Sequence, residues 1–151
     1  MAKNTIKIKN YNNVREELVA AAAITPGMLL EVTSAGKVQA HSSAGGNALP
    51  KFALEDELQG KAIDEAYAAD DQVQVWTPSR GDKVYAMLAD GENVAIGDFL
   101  ESDGNGKLQA HSPGSEGLEY PLGPVAIARE AVDMSDSSGA DPDGRIIVEI
   151  V

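Results

Sequence analysis

Apolar residues in this chain come in short runs, many alternating with polar ones, and Gly, Pro, Asn or Asp punctuates the gaps. Leu29–Val32 has the apolar run of a strand, Ser34-Ala35-Gly36 turns the chain, and Lys37-Val38-Gln39-Ala40 alternates polar with apolar. That pattern predicts a β-hairpin. A second hairpin is predicted around Asp103-Gly104-Asn105-Gly106, because Asp-Gly and Asn-Gly supply the positive φ that tight turns need. Further strands are expected at Val73–Trp76, Val84–Leu88, Val125–Ala128 and Ile146–Val151, with a short one near 51–54. Residues 53–69 have helix-forming composition, but Gly60 interrupts them. They are read as a loop with at most a helical turn or two. Residues 14–23 stay open between a strand beginning at Leu18-Val19 and a short helix on the alanine run.

The chain also resembles itself. Residues 27–42 align without gaps on 97–112, a spacing of 70, with nine of the sixteen positions identical. Phe52-Ala53-Leu54 is echoed by Val125-Ala126-Ile127, and Gln72–Val75 by Arg145–Val148, both at a spacing of 73. The order of the matches agrees, so the chain reads as two copies of one β-rich unit, about 18–80 and 88–151. Many short strands separated by turns favour an all-β barrel or sandwich over a helical or doubly wound fold. The expected organisation is an N-terminal arm over 1–17 and a β-rich domain over 18–151.

Composition narrows the chemistry. With 151 residues the chain is long enough for a core without staples, and with no cysteine it has no disulfide, thiolate metal site or cysteine nucleophile. Aromatic content of 5% is poor for stacking on single-stranded nucleic acid, and a net charge of −12 repels DNA and anionic membranes. No apolar run reaches the length that spans a bilayer. Glu16, Glu17 and Pro26 break the resemblance of the first residues to a secretory signal, so a soluble protein made in the cytoplasm is expected.

The charge is uneven. Residues 1–15 carry Lys3, Lys7, Lys9 and Arg15 and no acid, whereas the rest carries 8 bases against 24 acids, a net −16. One reading is a solvated tail. The other is an arm that docks on an acidic partner surface, with Lys3, Lys7, Lys9 and Arg15 supplying charge and Ile6, Ile8 and Tyr11 apolar contacts. Asn4–Lys9 alternates polar and apolar residues, so it can add as a strand to a neighbour's sheet edge.

No catalytic constellation, metal site or cofactor site emerges. His41 and His111 hold the same place in the two copies and read as polar residues at a strand end. The Asp/Ser/Gly-rich stretch 133–144 fails the EF-hand pattern and reads as a solvated loop. The acidic pairs Glu55-Asp56-Glu57 and Asp64-Glu65 are expected in so acidic a chain, and no phosphate-loop pattern is complete. Arg80-Gly81-Asp82 fits a turn between strands, and the sole tryptophan, Trp76, reads as a core or subunit-packing residue.

Residues 20–31, 36–41, 52–56, 63–75, 80–88 and 97–104 together resemble the capsid decoration (cement) proteins of tailed bacteriophages. The resemblance covers most of 18–130 as a pattern of turns and short strands. It implies a small β-barrel or β-tulip-like domain on the outer surface of the virion shell. It further implies homotrimers bound to the major capsid protein that hold the expanded shell together. The acidic composition and the missing constellations add the expectation of no cofactor, no direct nucleic-acid contact, no membrane and no enzymatic activity. Two other readings stand beside it: another phage structural protein of the tail or head-completion type, and a β-barrel accessory or carbohydrate-binding domain.

Overall fold

A computed structural model describes residues 3–11, 13–112, 123–135 and 144–151. The described residues are all-β, with one 3-10 turn at Glu57–Gln59 closed by Gly60 in the left-handed region. In chain order the strands are β1 (Lys7–Lys9), β2 (Arg15–Val19), β3 (Leu30–Val32), β4 (Val38–Ala40), β5 (Phe52–Ala53) and β6 (Gln72–Trp76). They continue with β7 (Lys83–Met87), β8 (Asn93–Val94), β9 (Phe99–Ser102), β10 (Leu108–Ala110), β11 (Ala126–Ala128), β12 (Val132–Asp133) and β13 (Arg145–Ile150). A six-stranded antiparallel sheet runs β1-β7-β13-β11-β9-β10, a three-stranded one β2-β6-β5, and the pairs β3-β4 and β12-β8 complete the set. The sheets stay open, so the barrel alternative gives way to a sandwich-like stack. Within the ambiguous 14–23 segment Arg15–Val19 forms strand β2, which Leu18 and Val19 end rather than begin by pairing with Val73 and Gln72 of β6, and the alanine run forms no helix. The stretch 133–144 lies partly outside the described residues.

Hydrogen bonds recur between the halves. Ala21 N–H donates to Val38 O and Ala89 N–H to Leu108 O, both at 2.8 Å. His41 N–H donates to Leu29 O and His111 N–H to Phe99 O. Gly27 N–H donates to Ala53 O and Gly97 N–H to Ala128 O. The parallel bridge Ala20–Val38 returns as Leu88–Leu108, and the antiparallel bridge Ile24–Tyr67 as the β8-β12 pair Val94–Val132. The bonding corrects one alignment. Ala53 corresponds to Ala128, two residues beyond the match the sequence suggests, because the loop before β11 is longer than the loop before β5.

Each repeat buries its own set of side chains. Ala20, Ile24, Leu30, Val38, Ala53, Tyr67, Val73 and Val75 form one cluster. Their counterparts Leu88, Val94, Leu100, Leu108, Ala128, Val132, Ile146 and Val148 all lie in the second cluster. That second cluster also takes in Leu29, Phe52, Leu54 and Trp76, which project from the opposite side of repeat one. Repeat one therefore lays its outer face on repeat two, and the burial of these large apolar groups holds the two together. Trp76 is fully buried in this joint, as its core reading expects.

The N-terminal segment departs from the free arm that the sequence suggests. Ile6 is 0% exposed and belongs to the larger cluster, and Ile8 packs against it. Tyr85 N–H donates to Ile6 O at 2.8 Å, and β1 pairs with β7 through Lys7–Val84 and Lys9–Lys83 with a register shift between them. The alternation of Asn4–Lys9 does make a strand, but it completes the chain's own sheet. Burial of Ile6 in repeat two outweighs solvation of the adjacent lysines, whose heads remain at the surface. The proposed boundary at 17/18 falls inside β2.

Candidate functional site

The residues nominated from the sequence divide between two roles. Ile6 is enclosed, Ile8 and Lys7 are half-buried, and Lys7 Nζ sits 5.6 Å from the Trp76 ring centroid while bonding to Asn13 Oδ1. Burial, and then the nearby Arg15 charge, hold the Lys7 ammonium below the usual lysine range. Arg15 starts β2 and forms an ion pair with Glu57 at 2.9 Å. Lys3, Lys9 and Tyr11 remain exposed, with the Tyr11 amide donating to Asp82 Oδ1. The structure thus brings Lys7, Arg15 and Trp76 together and leaves Lys3, Lys9 and Tyr11 on the surface beside the β1 edge.

The duplicated histidines occupy a different setting. In repeat one, Gln39 Nε2 donates to Glu31 Oε1 at 2.7 Å, as does Ser42 Oγ. The Ser42 and Gln39 donors hold the Glu31 carboxyl below its ordinary range, because they stabilise the charged form. In repeat two, Gln109 donates to Glu101, and His111 Nδ1 lies 2.5 Å from Glu101 Oε2. His41 is buried, with Nε2 3.1 Å from Asn47 O, Nδ1 2.7 Å from Ser102 Oγ, and Glu31 Oε2 at 3.9 Å. The carbonyl partner assigns the proton to Nε2, so Nδ1 accepts from the Ser102 hydroxyl. This Ser-His-Glu grouping is not posed for attack on a substrate, since Ser102 is fully buried and its oxygen also accepts the Gly104 amide. It ties the 41–47 loop of repeat one to the β9-β10 hairpin of repeat two.

A buried cation reinforces the same joint. Arg145 opens β13, is 2% exposed, and donates from Nη1 to Pro26 O at 2.5 Å and from Nη2 to Ile63 O at 2.7 Å. Asp64 Oδ1 lies 3.5 Å away, and the guanidinium carbon sits 5.9 Å from the Tyr85 ring centroid. Gly27 makes room for it: a Cβ there would lie 2.3 Å from Arg145 Nη1, and its φ of +91° disfavours any side chain. Sequence alone gave no sign of this contact, since residues 26 and 145 are 119 positions apart.

A cleft of about 210 Å³ is lined by Leu30, Glu31, Val32, His41, Asn47, Ala48, Leu49 and Lys51, and a more polar one of about 260 Å³ by Asp56, Gln59, Lys61, Tyr67, Asp71 and Gln72. Val32 and Leu49 are exposed in the first. Elsewhere Ile96 and Phe99 stand exposed at the entry to β9. Among the described residues no three of His, Cys, Asp and Glu converge as metal ligands, and no helix is long and apolar enough to cross a membrane.

No family model matches the chain, and no curated protein sequence matches it. Among solved structures it is similar to the head fiber gp8.5 N base of bacteriophage phi29. The two share 11% sequence identity at a TM-score of 0.58, over 93% of this chain and 95% of that one. At that identity the likeness establishes a common fold.

Proposed function

We propose that this chain is a structural protein of a tailed-phage head, which binds the outside of the shell as a decoration protein and stabilises the expanded capsid. The observation that carries the reading is the shared fold with a head-fibre base, end to end on both chains. The resemblance of residues 18–130 to capsid decoration proteins points the same way. So do the acidic surface and the buried setting of the Ser102–His41 pair. In this reading the partner is the major capsid protein, the working unit is a homotrimer, and the role is packing with no catalysis and no cofactor. The exposed Lys3, Lys9 and Tyr11 beside the β1 edge supply the contact to an acidic shell surface.

The test is addition of the purified chain to expanded heads lacking it, followed by sedimentation and electron microscopy. The expected result is saturable binding, density outside the shell and greater resistance of the heads to heat. Failure to bind heads at any stage of expansion refutes the proposal. The same structural likeness favours a second reading, a base on which a head fibre stands. Density projecting outward from the bound chain in intact virions selects it.

A further inference from the structure

The joint between the repeats uses different surfaces on its two sides. Repeat one presents Pro26–Leu29 and the 41–45 loop. Repeat two receives them with Met87, the Ser102–Gly106 turn and Arg145. Met87 N–H donates to Gly27 O at 2.9 Å, Leu29 N–H to Gly106 O at 2.8 Å, and Gly45 N–H to Ser102 O at 2.8 Å. A head-to-tail contact between equivalent units leaves one presenting surface and one receiving surface unused.

Both unused surfaces are recognisable. The presenting counterpart on repeat two is the 95–99 segment, exposed at every residue, with Ile96 67% and Phe99 49% exposed, whereas Pro26, Gly27 and Leu29 are buried. The receiving counterpart on repeat one is the 32–36 turn. There Val32, at 48%, Ser34 and Gly36 are exposed, whereas Ser102 and Gly106 are buried. We infer that these two surfaces bind each other between copies of this chain, the 95–99 rim of one copy docking on the 32–36 turn of the next.

Four residues at the intrachain joint keep their type on the unused surfaces, while Arg145 is matched by Gln72, Trp76 by Glu149 and Ser102 by Val32. Gly97 matches Gly27, Gly36 matches Gly106, His111 matches His41 and Ala110 matches Ala40. At Gly106 a Cβ would lie 2.8 Å from the Ala40 Cβ, so the glycine lets repeat one approach. At Gly36 a Cβ would meet nothing within 4 Å, so the same room stands open there. Across the new joint, Val19 N–H faces Gly97 O as Met87 N–H faces Gly27 O, and Phe99 N–H faces Gly36 O as Leu29 N–H faces Gly106 O. Phe99 and Ile96 supply the apolar anchor that such an interface centres on. Because the contact is heterologous, it closes into a ring or extends into a filament. This inference rests on the proposed oligomer and names its interface.

The chain has no cysteine, so introduced thiols are the only ones present. Val32→Cys and His111→Cys replace the counterparts of Ser102 and His41, whose side chains meet at 2.7 Å. Under oxidation the double variant is expected to form disulfide-linked multimers, each single variant to remain unlinked, and a mixture of the two singles to give linked dimers. Phe99→Asp in the double variant is expected to lower the linked yield by about tenfold or more, as loss of an aromatic anchor does, while circular dichroism shows the fold intact. Single variants that link to themselves overturn the head-to-tail arrangement. So does an unlinked double variant, whether light scattering shows it oligomeric or monomeric, provided the same holds on heads. Head binding by the wild-type chain is scored separately. Binding without linkage sinks this inference alone, and linkage without binding sinks the head-protein reading alone.

Discussion

Arg145→Met tests the joint between the repeats most directly. The substitution keeps an unbranched stem in a site that is 2% exposed but removes both donors that Arg145 sends into repeat one. Pro26 O and Ile63 O lose those partners, and each orphaned buried carbonyl costs about 1–3 kcal/mol. Relief from burying a guanidinium offsets part of the loss, because a buried charge is costly to desolvate. The net expectation is a destabilisation of about 2–4 kcal/mol, a large fraction of the roughly 5–15 kcal/mol typical of a domain. For a chain of this size that lowers Tm by about 5–15 °C. Urea and thermal unfolding read it, with the fluorescence of the buried Trp76 as a reporter inside the joint. Gly27→Ala attacks the same contact from the other side, by placing a Cβ 2.3 Å from Arg145 Nη1. The double substitution should then cost less than the sum of the two, as coupled neighbours do. An Arg145→Met protein as stable as the parent within about 0.5 kcal/mol, the range of neutral surface changes, or strict additivity with Gly27→Ala, refutes the account of the guanidinium as a clamp.

Ile6→Ala should destabilise by about 2–5 kcal/mol in equilibrium unfolding, the cost of emptying a fully buried aliphatic site; a free arm would show no change. Gly106→Ala should cost more than Gly36→Ala in the isolated chain at low concentration. The two φ values match at +77° and +76°, but only Gly106 faces Ala40, so equal losses would mean that the approach is unimportant. Burial pushes the Tyr67 hydroxyl up to about 12 from 10.0, so its contribution is complete below pH 10 and fades as pH rises from 10 toward 12. That shift corresponds to roughly 2–3 kcal/mol. Unfolding at pH 9 and pH 11.5 should show the loss in the parent and a shallower one in Tyr67→Phe. The depressed Glu31 carboxyl works at the other end of the scale: its contribution is present above the ordinary carboxylate range and fades as pH falls through its lowered value. Glu31→Gln should flatten acid unfolding slightly, by well under 1 kcal/mol given the exposed setting.

The hairpins were legible because their information is local. Gly36, Gly104 and Gly106 mark the turns, and the apolar positions on either side fix which face turns inward. The internal repeat carried that legibility further, since 27–42 and 97–112 do build matching hairpins. What the sequence hid is long-range. Ile6–Lys9 reads as a strand seeking an edge, but no local feature says that the edge belongs to β7 of the same chain. The β8-β12 pair was missed because two residues per strand leave no periodicity to detect. Nor can one copy of a repeat announce that Leu29 is buried while its counterpart Phe99 is exposed. That asymmetry arises only when the copies stack.

The route of the chain through the two repeats bears on its synthesis. Residues 6–9 belong to the sheet of repeat two, residues 15–76 build repeat one, and the chain then returns to the sheet it began in. When residue 80 leaves the ribosome, β1 has no strand to join, and Leu29, Phe52, Leu54 and Trp76 have no cover. A nascent first half thus exposes a broad apolar face and an unpaired basic strand at the same time, a setting for chaperone capture or aggregation. The lysines flanking Ile8 act as gatekeepers during that interval, as charges beside an obligatory apolar strand do. Closure waits for β13, the last of the described strands, to slot between β7 and β11. The duplication is therefore stitched rather than strung: neither half is a separable module, and the fold closes only once β13 has been made rather than repeat by repeat.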